Sequence, residues 1–237
     1  MKSYINSLSI VILTKDSQRY LREVLASASF ADEILLLDGN SKDDTLKIAK
    51  EFKARVENQG RWLGFGAMKQ KGVDLAKNRW VFILDSDEVI PKSLKEEILA
   101  TLKNPKYSGY FVARLNYFFG KPLRYGGFYP DATIRLFDKS KAKFSKDIVH
   151  ERVLIDKELV GRLKEPMKHY AYSSIEEFIA KQNYYSSLNA KPNRLKALIN
   201  PLWSFIKIYL LRGGFLEGWR GFIVAKLYSQ YTFWKYI

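Results

Sequence analysis

Cysteine is absent, so neither a disulfide framework nor a thiolate metal site is open to this chain. Histidine is nearly absent: His150 and His169 are the two present, which excludes a multi-histidine zinc centre. Long apolar runs are missing too. Leu202–Leu211 is interrupted by Lys207 and falls short of the ~20 residues that span a bilayer. The opening segment Met1–Leu13 runs straight into Thr14, Lys15 and Asp16 with no leader-cleavage pattern, so a cytoplasmic chain is expected. Acidic residues are the scarce charge. Against 25 of them stand 40 Lys and Arg, a net of +15, which predicts a polyanionic partner: nucleic acid, an anionic membrane or a phosphorylated substrate.

What is present reads as globular. With 237 residues, 47% hydrophobic and 27% charged, the chain can bury a full core as one large domain with or without an appendage. The first half alternates strand and helix. Leu8–Leu13 is a continuous β-branched run of the kind buried parallel strands show. From Ser17 onward, Leu21, Val24, Leu25 and Ala28 recur at helical spacing. Ile34–Leu37 is a second strand closed by Asp38. Ser41 with Asp44 resembles a helix start, with Leu46, Ile48, Ala49 and Phe52 following. Residues 54–57 suit a short third strand, 66–77 a helix with Ala67, Met68, Val73 and Ala76 inward, and Trp80–Leu84 a fourth strand. Pro91 opens a helix carrying Leu94, Ile98 and Leu102 on one face. Such alternation predicts an α/β fold with a mostly parallel central sheet flanked by helices.

Beyond Gly109 the pattern shifts. Residues 110–119, 132–137 and 148–155 read as strands, with a Gly/Pro-rich loop over 121–131 and a helix over 174–190 capped by Ser173 or Ser174. Residues 196–237 are different again: Trp203, Trp219 and Trp234 stand among bulky apolar residues interleaved with Lys and Arg, and Gly213, Gly214 and Gly218 break the run. We expect a catalytic domain over 1–195 and a C-terminal helical extension over 196–237. An interrupted, basic, aromatic helix pair suits an anionic membrane surface; an ordinary helical subdomain is the plainer reading.

The polar residues gather where strands end: Thr14 and Asp16, Asp38, then Asp85 and Asp87. Ligands of open α/β sheets bind at this edge. Carboxylates at Asp85 and Asp87 can turn toward one point, and hard oxygen ligands suit Mg²⁺ or Mn²⁺ beside a diphosphate. A lone D-x-D is common by chance; its place after a buried strand is what gives it weight.

The segments SIVILTKDSQRYL (9–21), ILLLDGNSKDDT (34–45), GAMKQKGVDLAKNRWVFILDSDE (66–88) and VHERV (149–153) together resemble the family 2 glycosyltransferases of the A-type fold. VHE, MKHYAY and RGGFLEGWRGF further resemble the subgroup that adds hexoses, as a β-1,4-glucosyltransferase does, to bacterial lipopolysaccharide or lipooligosaccharide core. The resemblance implies an inverting transfer from a UDP-sugar to a lipid-linked saccharide at the inner face of the cytoplasmic membrane. It implies that Thr14 and Asp16 line a uracil pocket and that Asp38 accepts from uracil N3–H, although Lys15, Asp16 and Ser17 depart from the usual N-E-E. It puts Lys69 and Gln70 on nucleotide or phosphate, Asp85 near ribose and metal, and Asp87 on the metal. Glu151 takes the place of the catalytic base, in V-H-E rather than E-D; by itself it reads as a strand carboxylate paired with Arg152 or Lys157. His150 is expected to orient Glu151 or bind acceptor, and His169 to reach metal or diphosphate. Arg135, Tyr125 and Lys181 are expected at the substrate, against plain solvated or structural roles.

Other readings are a nucleotidyltransferase, a nucleic-acid-binding protein and an inactive membrane scaffold, and another surface polysaccharide is the alternative acceptor. No helix-turn-helix or RNP-like strand is visible, so no nucleic-acid partner is expected. The acidic strand ends argue against an inactive scaffold.

Overall fold

The computed structural model describes residues 6–60, 64–145, 151–172, 174–188 and 192–237. The chain runs β1 (Leu8–Thr14), α1 (Gln18–Ala28), β2 (Glu33–Asp38), α2 (Thr45–Glu51), β3 (Arg55–Asn58), α3 (Phe65–Leu75), β4 (Trp80–Asp85), β5 (Glu88–Val89), α4 (Lys92–Lys103), β6 (Gly109–Phe118), β7 (Lys121–Pro122), β8 (Asp131–Asp138), β9 (Lys143–Phe144), β10 (Val153–Leu154), β11 (Val160–Arg162), β12 (Met167–Tyr172), α5 (Ile175–Leu188), α6 (Arg194–Ile206) and α7 (Trp219–Tyr236). It divides into one unit of Met1–Ala113 with Ala132–Lys168 and another of Arg114–Asp131 with His169–Ile237. The expected boundary at residue 195 therefore falls inside the second unit.

In the first unit β1 pairs in parallel with β2 and with β4, and β2 pairs in parallel with β3. β8 adds antiparallel to β4, which makes the sheet mixed. The apolar runs explain the inner strands: Ile10, Val11, Ile12, Leu35, Leu36, Val81, Phe82 and Leu84 are fully buried, as strands covered on both faces require. Helix α1 buries the predicted stripe Leu21, Val24, Leu25 and Ala28. At Gly72 in α3 a β-carbon would come 2.5 Å from Val11 Cγ1 and 3.0 Å from Leu37 Cδ1, so only glycine lets α3 lie this close to β1 and β2. Register then aligns the polar ends: Thr14 is opposite Asp38, and Leu13 is opposite Asp85.

Two local expectations differ. Helix α2 begins at Thr45, not Ser41, because the Ser41 hydroxyl is drawn to Asp38 instead of capping a helix. Within α2, Leu46 is exposed, while Ile48 and Ala49 are buried. Of the strand expected over 148–155, only Val153–Leu154 pairs, with β9, and residues 146–150 lie outside the described residues.

In the second unit Phe118, Leu123, Phe178 and Val224 form a core of their own. Aromatic rings pack around it: Phe178 lies 4.7 Å from Tyr172 and 5.2 Å from Tyr228, centroid to centroid. Ser174 caps α5, its Oγ accepting from Glu177 N–H at 3.1 Å. The expected break between the last two helices is present. After α6 the chain widens into a π turn at Lys207–Leu211, reverses at Gly213 (φ 69°), makes a 3₁₀ turn over Gly214–Glu217 and enters α7 after Gly218 (φ 62°). Among the described residues no helix is long and apolar enough to cross a membrane.

Candidate active site

Asp38, at the end of β2, is 1% exposed and held from three sides. Thr14 Oγ1–H donates to its Oδ1 at 3.1 Å, Ser41 Oγ–H to the same oxygen at 2.5 Å, and Ser41 N–H to Oδ2 at 2.9 Å. Four lone-pair sites meet three donors, so Oδ2 keeps capacity for one more. Asp16, in the left-handed region at φ 48°, pins the neighbouring loop: its N–H donates to Ser41 Oγ at 2.9 Å and its carboxylate accepts from Lys42 N–H at 2.7 Å. Ser41 was not anticipated here. Its spacing from Asp38, three residues on through a Gly-Asn turn, was the signal available.

A second cluster forms where β4, α3 and β8 meet. Lys69 Nζ, on a nearly buried side chain, lies 2.7 Å from Glu151 Oε1 and 3.3 Å from Asp85 Oδ1. The other Asp85 oxygen, Oδ2, accepts from Arg135 Nη2 at 2.8 Å, and Arg135 Nη2 also donates to Glu88 Oε1 at 2.5 Å. Glu88 Oε2 accepts from Asp85 N–H at 2.9 Å. Burial works against the charge on Arg135, but Asp85, Glu88 and Asp87 more than offset it and raise its pKa above the ordinary arginine value. The solvated-face reading of Arg135 is thus corrected: it is a buried clamp on the acidic turn. Glu88 was missed entirely, although the run D-S-D-E carried it in plain view.

Gln70, on the same helix as Lys69, has its side chain engaged locally: Oε1 accepts from Phe144 N–H at 2.7 Å and Nε2 donates to Asp74 at 2.7 Å. His150 lies outside the described residues. Tyr125, Lys181 and His169 belong to the second unit. There Tyr125 N–H donates to Glu217, Lys181 Nζ sits 5.2 Å from the Tyr172 ring centroid, and His169 Nδ1 lies 2.6 Å from Asn116 Oδ1.

The donor set fits a hard divalent ion. Asp85, Asp87, Glu88 and Glu151 bring four carboxylates against two cations, Lys69 and Arg135, so the cluster carries a net of −2. Both Asp85 oxygens are engaged by cations, Oδ1 by Lys69 and Oδ2 by Arg135. Among the described residues no three His, Cys, Asp or Glu side chains assemble into a cage for an ion.

Residues 9–151 match the family model for glycosyl transferase family 2. An uncharacterized glycosyltransferase of Rickettsia bellii is 29% identical over 94% of this chain and 82% of its own length. The lipopolysaccharide core biosynthesis glycosyltransferase LpsC of Rhizobium meliloti is 26% identical over 95% of this chain and 89% of its own. Among solved structures, residues 1–349 of TarS from S. aureus, in complex with UDP, superpose with a TM-score of 0.53 at 16% identity, covering 90% of this chain and 75% of that one. The likeness is one of fold, and the fold is the A-type of glycosyltransferases.

Proposed function

The chain belongs to glycosyl transferase family 2, and from that premise we propose that it transfers a hexose from a UDP-sugar to a lipid-linked saccharide, with inversion at the anomeric carbon. The observation that carries the reading is the single ammonium of Lys69 tying Asp85 to Glu151 at one strand edge. This brings the carboxylate expected at the donor and the carboxylate expected at the acceptor within reach of one another.

In this reading Asp38 uses its remaining acceptor site on uracil N3–H, and Thr14 and Ser41 keep the carboxylate from rotating. Uracil is favoured because a base without that donor would leave a buried acceptor unmade. Asp87 would hold Mg²⁺ or Mn²⁺ together with the donor diphosphate, and the ion would neutralise charge on the departing UDP. Lys69 and Arg135 fix Asp85 so that the acidic turn keeps its shape. Glu151 takes the proton of the acceptor hydroxyl on Oε2, since Oε1 is already bonded to Lys69. The acceptor oxygen bonds to the anomeric carbon as the carbon–oxygen bond to diphosphate breaks, and the electron pair leaves on UDP. An α-linked donor then gives a β-linked product. LpsC, a relative over nearly the whole chain, supports lipopolysaccharide core as the acceptor class and hence work at the inner face of the cytoplasmic membrane.

The test is ligand-linked stability followed by turnover. UDP should raise the melting temperature in Mn²⁺ and much less in EDTA, as binding to the native state alone requires. Glu151→Gln should keep that shift while UDP release from a UDP-hexose falls by about 100-fold or more. Equal shifts from GDP or an oligonucleotide would remove the uracil assignment, and near-normal turnover in Glu151→Gln would remove the base.

A further inference from the structure

The C-terminal hairpin of the second unit has its polarity reversed. Helix α6 packs inward through Ala197 and, past its end, Ile208, both buried. Pro201 lies on the same side and its carbonyl accepts from Ser229 Oγ–H of α7 at 2.8 Å. The side chains half a turn away face solvent, where polar groups belong, yet they are Leu195, Leu198, Ile199 and Leu202, 55–73% exposed, with Trp203 beside them at 54%. The turn into α7 continues this surface with Leu210, Leu211, Phe215, Leu216 and Trp219, each about half exposed or more. This many large apolar side chains left exposed on one helix and the turn after it mark a place where something else docks.

Charge names the occupant. Residues 192–237 hold Arg194, Lys196, Lys207, Arg212, Arg220, Lys226 and Lys235 against one side-chain carboxylate, Glu217, a net of +6. Glu217 is turned back into the protein: its Oε1 accepts from Arg124 N–H at 2.6 Å and Tyr125 N–H at 2.9 Å. Lys196 and Lys207 fall along one flank of the apolar stripe by helical spacing, and Arg220 stands over the Trp219 ring at 5.5 Å. An apolar face edged by cations and tryptophans, on helices too short or too polar to span, is the pattern of a helix lying in a membrane interface. A second copy of the same face would bring two cationic flanks together, and an acidic protein would leave the leucines unexplained.

We propose that the outer face of α6 and the turn into α7 form an in-plane docking surface for an anionic lipid bilayer, with Leu195, Leu198, Leu202, Leu211 and Trp219 entering the acyl boundary and the flanking cations meeting lipid phosphates. The proposal stands on exposure and charge alone. Its failure would leave the transfer chemistry untouched, and failure of the UDP test would leave the docking surface untouched.

The experiment is co-sedimentation of the full chain with vesicles of phosphatidylcholine alone or mixed with phosphatidylglycerol. Binding to the mixed vesicles is expected, weakening with added salt as screening requires. Leu198→Glu with Leu202→Glu, both at exposed positions, should lower partitioning by about tenfold or more with no fall in melting temperature. Lipids brominated near the headgroup should quench tryptophan emission, and Trp203→Phe with Trp219→Phe should remove most of the quenched signal. No binding to the anionic vesicles, or undiminished binding by the Leu→Glu pair, would overturn the proposal. So would a wild-type dimer that the same pair converts to monomer, since the covering partner would then be a second copy.

Discussion

Arg135→Met tests the ionic frame beneath the acidic turn. Arg135 is 4% exposed and bridges Asp85 at 2.8 Å and Glu88 at 2.5 Å, while Glu88 itself has no exposed surface. Met fills a similar volume without charge, so the change takes the guanidinium away from buried Glu88, whose Oε2 still accepts from Asp85 N–H. Removing one partner of a buried pair costs about 3–5 kcal/mol, most of it from the stranded carboxylate. For a chain of this size that corresponds to a fall of about 10 °C in melting temperature. Glu88→Gln in the Arg135→Met background should recover part of the loss, giving a coupling energy in the double-mutant cycle. A loss under about 1 kcal/mol, or strictly additive variants, would show that the pair is not the constraint described here.

Three further outcomes are expected. Gly72→Ala should destabilise the first unit by about 1–3 kcal/mol in urea, because its β-carbon would meet Val11 at 2.5 Å; a gain in stability, usual for Gly→Ala in a helix, would contradict the close approach. Ser41→Ala removes the 2.5 Å bond to Asp38 and should cost about 1 kcal/mol and weaken UDP binding, read as a smaller UDP-induced melting shift; an unchanged shift would separate Asp38 from the nucleotide. Glu33→Gln should flatten the acid limb of the stability profile. Burial opposes the Glu33 charge, but bonds from Ser9, Lys77 N–H and Arg55 outweigh it and lower its pKa. Its contribution is thus present above the unfolded carboxylate pKa and is lost as pH falls through the depressed folded value. An acid limb of the same steepness in the variant would refute that assignment.

The parallel strands were legible because strands buried on both faces have to be continuous apolar runs, and Leu8–Leu13, Ile34–Leu37 and Trp80–Leu84 are that. The α1 stripe was legible because one helical period fixes Leu21, Val24, Leu25 and Ala28 together. The start of α2 was not, since Ser41 obeys the capping pattern for the residues after it, but Asp38, three residues before it, competes for its hydroxyl. Short pairings such as β9 with β10 leave no periodic trace in two residues. At the site, positions were readable and partnerships were not. Asp85, Lys69, Arg135 and Glu151 were each named, yet 82 residues of sequence separate Lys69 from Glu151, and only the fold brings them to 2.7 Å. Glu88 was overlooked because an acidic residue in a turn normally faces water, and nothing local announces that Arg135 has drawn it inside.

The charge distribution resolves an apparent conflict. The whole chain carries +15, yet the proposed chemistry sits in a cluster with a net of −2. A nucleotide diphosphate approaching that cluster alone would meet repulsion, and Lys69 and Arg135 are already committed to carboxylates. A divalent ion reverses the sign: with Asp87 as its anchor the cluster becomes neutral, and the surrounding positive field can then draw the anionic donor in. The basic surplus that steers the donor is also concentrated where leucines and tryptophans lie exposed on α6 and the turn after it, a combination suited to anionic lipid. One excess of Lys and Arg thus serves both ends of the proposed reaction, a soluble anionic donor and a membrane-borne acceptor. Raising ionic strength should accordingly increase KM for the UDP-sugar and release the chain from anionic vesicles, while kcat, set by short contacts inside the cluster, changes little. A kcat that falls in step with rising salt while KM holds constant would place the relevant charges within the chemical step instead.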